Sequence, residues 1–220
     1  MIKLINTEAK MNKIEKIILI ILFGSIWGAA ELFGGDLFRA WQIPNKSSLL
    51  FAIALIIMYS SKSLVNINGS TVIMALIAGA FKTVSDNFYG CQVAAITIDA
   101  VIFEFFYFAL KTKLDRNFLT RLITAPLLTY IAFAFFAFFA TYILRQENWY
   151  AGGLTGIGEY LISGALYAAV YSLAAIQIGF YLGAAFKPLR EKLTNQSAVF
   201  SFRLTAAAIA LLIWIVGLQS

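Results

Sequence analysis

Residues 119–144 read LTRLITAPLLTYIAFAFFAFFATYIL, a run whose only charged side chain, Arg121, stands near its start. A helix rises about 1.5 Å per residue and the hydrocarbon core of a bilayer is about 30 Å thick, so this stretch is long enough to cross it. Apolar residues follow one another in runs instead of alternating, which argues against a β-barrel. Working outward from this segment, six more of the same kind come close to spanning length: Ile17 to Gly34, Ser48 to Leu64, Ser70 to Val84, Gln92 to Leu110, Tyr160 to Phe186 and Val199 to Leu218. The second and third are the shortest, and a re-entrant hairpin is the alternative to two crossings. Two crossings are preferred because Asn66 and Asn68, in the polar stretch between them, would be costly to leave at membrane depth.

Composition agrees with an all-α integral membrane bundle of six to seven transmembrane helices. Of the 220 residues, 61% are hydrophobic and only 13% charged, where a soluble domain would be nearer half apolar and a quarter charged. The expected organisation is a cytoplasmic N-terminal segment, residues 1–16, followed by one transmembrane helical domain, residues 17–218. With no histidine and one cysteine, the chain has no disulfide framework, no imidazole acid–base chemistry, no zinc site of the usual kind and no histidine-held haem. No cofactor and no metal is expected.

Basic residues set the orientation, because short cytoplasmic loops are enriched in Lys and Arg. With the N-terminus inside, inner segments hold 13 of the 17 basic residues, outer segments hold Arg39, Lys46 and Arg145, and Lys82 lies within the third span. The net charge of +6 is therefore a topology signal and not a nucleic-acid footprint; its expected partner is the lipid bilayer, with some attraction to anionic headgroups. The N-terminal apolar run has no small-residue cleavage site before Gly24 and Ser25, so it reads as a retained helix, as a signal anchor would.

Charges at membrane depth cost at least about 2.5 kcal/mol each on insertion scales and need a partner, a cavity or a function. Glu31 lies in the outer third of the first helix, and Asp36 and Arg39 follow on one face of a helical turn. Lys82 and Asp86 stand four apart at the outer end of the third span, Asp99 and Glu104 lie inside the fourth, and Glu159 opens the sixth. Asp99 and Glu104 point about 140° apart around a helix and cannot line one narrow site. The concentration of charge in the outer half predicts a polar cavity opening outward, with Trp27, Glu31, Lys82, Asp86 and Asp99 as substrate contacts. Ion pairs that merely hold the bundle together, such as Lys82 with Glu31 or Asp99, are the competing account, and Lys82 near its helix end could also snorkel to the surface.

Other features read as ordinary membrane-protein furniture. Trp41, Trp149 and Tyr150 suit an interfacial belt, Phe133, Phe135, Phe136, Phe138 and Phe139 suit a lipid-facing or packing surface, and Cys91 suits a small buried hydrophobe. The stretch Gly152 to Gly158 reads as a flexible outer connection and lacks the Lys-Ser/Thr pair of a phosphate loop. Small residues four apart, Gly24 with Gly28, Ser25 with Ala29, Ala75 with Gly79, Gly164 with Ala168 and Gly179 with Gly183, let helices approach closely, inside the bundle or against a partner.

The stretch Gly24-Ser-Ile-Trp-Gly-Ala-Ala-Glu31, the outer loop with Pro44, the run Gly79-Ala-Phe-Lys82 followed by Ser85, and Ile96 to Glu104 resemble small bacterial membrane proteins similar to the substrate-binding S components of energy-coupling factor transporters. The resemblance covers roughly residues 20 to 110. It implies a six-helix, non-enzymatic subunit of the bacterial inner membrane that binds a vitamin or cofactor precursor from outside. Cargo would be released when the subunit topples under a transmembrane coupling subunit and two ATPases. By position, Gly24, Ser25, Gly28 and Ala29 would meet the coupling subunit, and Asp36 through Lys46, with Asp36 and Arg39, would gate the site. Seven apolar segments are one more than that family has. A stand-alone ion- or proton-coupled carrier, an intramembrane enzyme acting on lipid-linked substrates and a structural membrane subunit remain alternatives.

Overall fold

The structure, a computed structural model, describes residues 11–84, 90–186, 188 and 196–219. Asp86 and Ser85 lie outside the described residues, as do Phe88 and Tyr89. Asn12 opens the first helix by accepting the amide of Lys13 at 2.6 Å. Helix α1 (Lys13–Ala29) passes through a π-helical turn (Ala30–Gly34) into α2 (Gly35–Ala40), so that Lys13–Ala40 is one span. Gln42 and Asn45, both with φ 53, turn the chain into α3 (Lys46–Val65). A second turn, with Asn66 at φ 43 and Gly69 at φ 80, leads to α4 (Ser70–Lys82). The remaining elements are α5 (Gly90–Arg116), α6 (Phe118–Phe138) with a π-helical turn (Phe139–Ile143), α7 (Glu147–Tyr160), a third π-helical turn (Leu161–Ala165), α8 (Leu166–Ala185) and α9 (Gln196–Gly217).

Among the described residues there is no strand, and six helical stretches are long and apolar enough to cross a bilayer. The chain is a multi-pass, all-α membrane bundle. Its outer surface carries the side chains that lipid would cover: Phe105, Phe108, Ile123, Phe135, Ile162 and Phe200 are each at least 60% exposed. Only a hydrocarbon surrounding makes such a surface stable. Inside, Trp27, Leu55, Met58, Met74 and Phe81 are fully buried.

The third apolar segment departs from the expected full crossing. Helix α4 has 13 residues, hence a length of about 20 Å, and does not span the core unaided. It is short because its N-terminus is held inside the bundle by α5 and α3. Glu104 of α5 accepts the amides of Gly69 at 2.7 Å and Thr71 at 3.4 Å, and also the Thr71 hydroxyl. Lys62 of α3 donates to Glu104 Oε1 at 2.5 Å and to the Ile67 carbonyl at 2.6 Å. A carboxylate at a helix N-terminus satisfies amides that have no partner within the helix. The non-helical backbone at Asn66–Gly69 is held by these bonds while Asn66 and Asn68 stay exposed and Ile67 and Gly69 are half-buried. Lys111 adds a bond to the Asn66 side chain at 2.7 Å.

Close approach follows the small residues. A Cβ on Gly28 would lie 2.5 Å from Phe81 Cβ, and one on Gly24 2.9 Å from Ile77 Cβ, so both glycines admit α4 against α1. Gly79 receives Val93, Gly179 receives Tyr59 and Gly183 receives Ser63. Helix α9 packs on α1. Trp214 lies edge-on to Phe81 with ring centroids 4.9 Å apart and donates to Ser25 Oγ at 3.0 Å. Arg203 forms an ion pair with the buried Glu15.

One expectation is corrected, and another divides between its two alternatives. The glycine-rich stretch Gly152 to Gly158 is helical, within α7, and leaves helical geometry only at Gly153 (φ 52, ψ −141). Trp149 at the start of α7 is anchored on the rings of Phe136 and Tyr160, at 5.5 and 4.8 Å, which fixes the segment despite the low helix propensity of glycine. The phenylalanines of α6 are also not all turned outward: Phe135 and Phe138 are exposed, whereas Phe133 is buried and Phe136 half-buried on the opposite face.

Candidate functional site

At the end of the bundle that the basic residues mark as outer, a cavity of about 210 Å³ opens between α1, α2, α3, α4, α5, α6 and α7. At about 30 Å³ per water molecule this is room for on the order of seven waters, or one small organic molecule. Five ionisable side chains line it: Glu31, Arg39, Lys46, Lys82 and Asp99. Glu31, Gly35 and Arg39 are spaced four apart along α1 and α2, and Gln92, Ala95, Ile96 and Asp99 form a stripe along α5. Helical periodicity puts each set on one face.

Lys82 is 94% buried, yet its ammonium is not paired with a carboxylate within 4.0 Å among the described residues. It donates instead to the backbone carbonyl of Glu31, at 2.7 Å. That carbonyl belongs to the first π-helical turn, where the regular ladder is disturbed. Gly35 makes room for the ammonium, since a Cβ there would lie 3.4 Å from Lys82 Nζ. A similar contact fixes the other wall, where Ser48 of α3 donates to the Gly164 carbonyl, in the third π-helical turn, at 2.8 Å. Two distorted turns beside the cavity therefore each lend a carbonyl to a side chain from another helix.

The acidic groups are arranged differently. Glu31 Oε1 accepts the Trp27 indole N–H at 3.4 Å. Trp27 is wholly buried and absent from the cavity lining, so it positions the carboxylate instead of facing a ligand. Asp99 has no hydrogen bond or ion pair among the described residues, and it shares the cavity with Glu31. Around it stand Phe133 and Tyr160, stacked at 5.4 Å with their planes 15° apart.

Three of the five expected substrate contacts, Glu31, Lys82 and Asp99, meet at this cavity; Asp86 lies outside the described residues. Of the expected gate, Arg39 lines the mouth and pairs with the half-exposed Asp36 at 3.4 Å. Glu159 is exposed and lies off the lining. Glu104 is the α4 cap described above, on another side of α5 from Asp99. The small residues of α1 are occupied within the chain: Gly24 and Gly28 by α4, Ser25 by Trp214.

Lys46, Ser47, Cys91, Gln92, Phe136 and Tyr160 also line the cavity and are not among the residues that sequence reading singles out as contacts. Gln92, seven residues before Asp99, was accessible to the stripe argument; the inward turn of Phe133 and Phe136 had no signal, because α6 is apolar on every side. Gln92 Oε1 is buried without a hydrogen-bond partner among the described residues. Among the described residues no three cysteine or carboxylate side chains gather as a metal site. Comparison with family models, curated proteins and solved structures gives no match, so the site is read from its own geometry.

Proposed function

We propose that the chain is a membrane-embedded solute-capture subunit, which takes up a small polar molecule from the outer face and hands it on without transforming it. The observation that carries this reading is the meeting of Glu31, Lys82 and Asp99, from three separate elements, on one cavity large enough for such a molecule. Structural ion pairs would have been paired. Lys82 instead binds a carbonyl and Asp99 has no partner among the described residues, which leaves both available to a ligand.

The chain resembles the S components of energy-coupling factor transporters in the segments quoted above, and it carries no phosphate loop. Energy would come from a separate ATPase module acting through a transmembrane coupling subunit in a bacterial inner membrane. The test is to purify the protein from cells in mild detergent, release bound small molecules and identify them by mass spectrometry, with the Lys82→Met variant beside it. A small polar compound that accompanies the native protein and is lost from the variant supports the reading; empty protein from every growth medium counts against it.

The nearness of Glu31 to Asp99 favours a second reading, a stand-alone carrier in which the acidic pair takes up protons. Solute uptake into protein-only liposomes, driven by a pH gradient without ATP, would select that reading.

A further inference from the structure

The cavity is polarised, and its two poles are built from different elements. Arg39 ends α2, Lys46 begins α3 and Lys82 ends α4, so all three cations stand at the outer ends of their helices. The N-terminus of α3 adds to this pole: it has no side-chain cap and no acidic residue in its first turn. Uncapped amides and the positive end of the helix dipole favour an anion there. Lys82 has three donors and uses one on the Glu31 carbonyl, which leaves two without a partner among the described residues.

The opposite pole is acidic. Asp99 lies nine residues along α5 from Gly90, about 13 Å below that helix end, and shares the cavity with Glu31. Two carboxylates that line one poorly hydrated cavity attract a cation. Among the described residues the lining therefore holds three positive and two negative side chains, and Asp36 offsets one of the three at Arg39. A ligand with a single charge would satisfy one pole and leave the other desolvated and unmatched, at a cost that falls on its affinity.

From this we infer that the cavity selects a small zwitterion, an amino-carboxylate whose ammonium sits between Asp99 and Glu31 and whose carboxylate meets Lys82 and the N-terminus of α3. The inference rests on the solute-capture reading and names its ligand class.

The test uses purified protein in phosphatidylcholine nanodiscs and calorimetric titration. The probes are the straight-chain ω-amino acids from glycine to aminohexanoate, each beside the fatty acid and the alkylamine of the same length. One zwitterion length should bind at least about tenfold more tightly than either half-molecule. Asp99→Asn should remove that advantage while leaving the affinity for the fatty acid unchanged, which also shows that the variant is folded; Lys82→Met should do the converse with the alkylamine. Tighter binding of a half-molecule, or no binding by any zwitterion of the series, overturns the inference. A co-purified solute of single charge, or of none, overturns it too, yet leaves the solute-capture reading standing, so the two failures are distinguishable.

Discussion

The Lys82 ammonium donates to the backbone carbonyl of Glu31 at 2.7 Å and not to that residue's carboxylate. A lysine whose task was to hold α4 to α1 would gain more from the acid, which adds neutralisation of a buried charge to the charge-assisted hydrogen bond that a carbonyl already accepts. Lys82→Met removes one hydrogen bond, worth about 1.5 to 3 kcal/mol, and also removes the cost of a buried charge, which is of similar size. Thermal unfolding in detergent should therefore move little, by less than about 1 kcal/mol, while solute binding is lost. A large loss of stability would make Lys82 a packing residue.

Asp99→Asn provides a second separation of site from scaffold. The side chain keeps its shape, loses its repulsion with Glu31 and gives up no partner among the described residues. Unfolding measurements should show unchanged or slightly raised stability, the usual sign of a group kept for function against the interest of the fold.

Glu104 gives the opposite result. It pairs with Lys62, which is 98% buried, and caps α4 through Gly69 and Thr71. Removing either charge strands the other, so Glu104→Gln and Lys62→Met should each cost about 3 to 5 kcal/mol. The double variant should cost clearly less than the sum, and a double-mutant cycle on thermal or denaturant unfolding reads the difference.

Gly28 and Gly35 predict different sensitivities. Even Gly28→Ala drives a Cβ into Phe81 Cβ at 2.5 Å and should cost about 1 to 3 kcal/mol by overpacking. Gly35→Ala meets Lys82 Nζ only at 3.4 Å and should be tolerated, whereas Gly35→Leu should evict the ammonium. The expected readout for the larger substitution is lost solute binding in a protein that still elutes as a single folded species.

The helices were legible because lipid imposes a length and a hydropathy on every span, and six of the seven apolar segments written in the sequence correspond to the spans found, the third being too short. The convergence of Glu31, Lys82 and Asp99 was legible for a related reason: charge at depth is costly, so its outer placement already implied a shared cavity. Three things were hidden. The length of α4 depends on Glu104, thirty-four residues from Ser70 on another helix, and no local pattern announces such a cap. The facing of Phe133 against Phe135 was hidden because a helix apolar all round carries no direction in its periodicity. The helix through Gly152 to Gly158 contradicts glycine propensity and exists through the aromatic anchor of Trp149, a tertiary effect.

Glu15 and Arg203 are separated by 188 positions, and their ion pair fastens α9 to α1. During biosynthesis the acid is made long before its guanidinium has been translated. For most of insertion that carboxylate must be tolerated by the translocation machinery or by water at the membrane surface, and the bundle closes only when α9 arrives. A nascent chain halted before Arg203 would therefore expose a buried-type acid and the bare flank of α1, which makes it a natural target for membrane quality control.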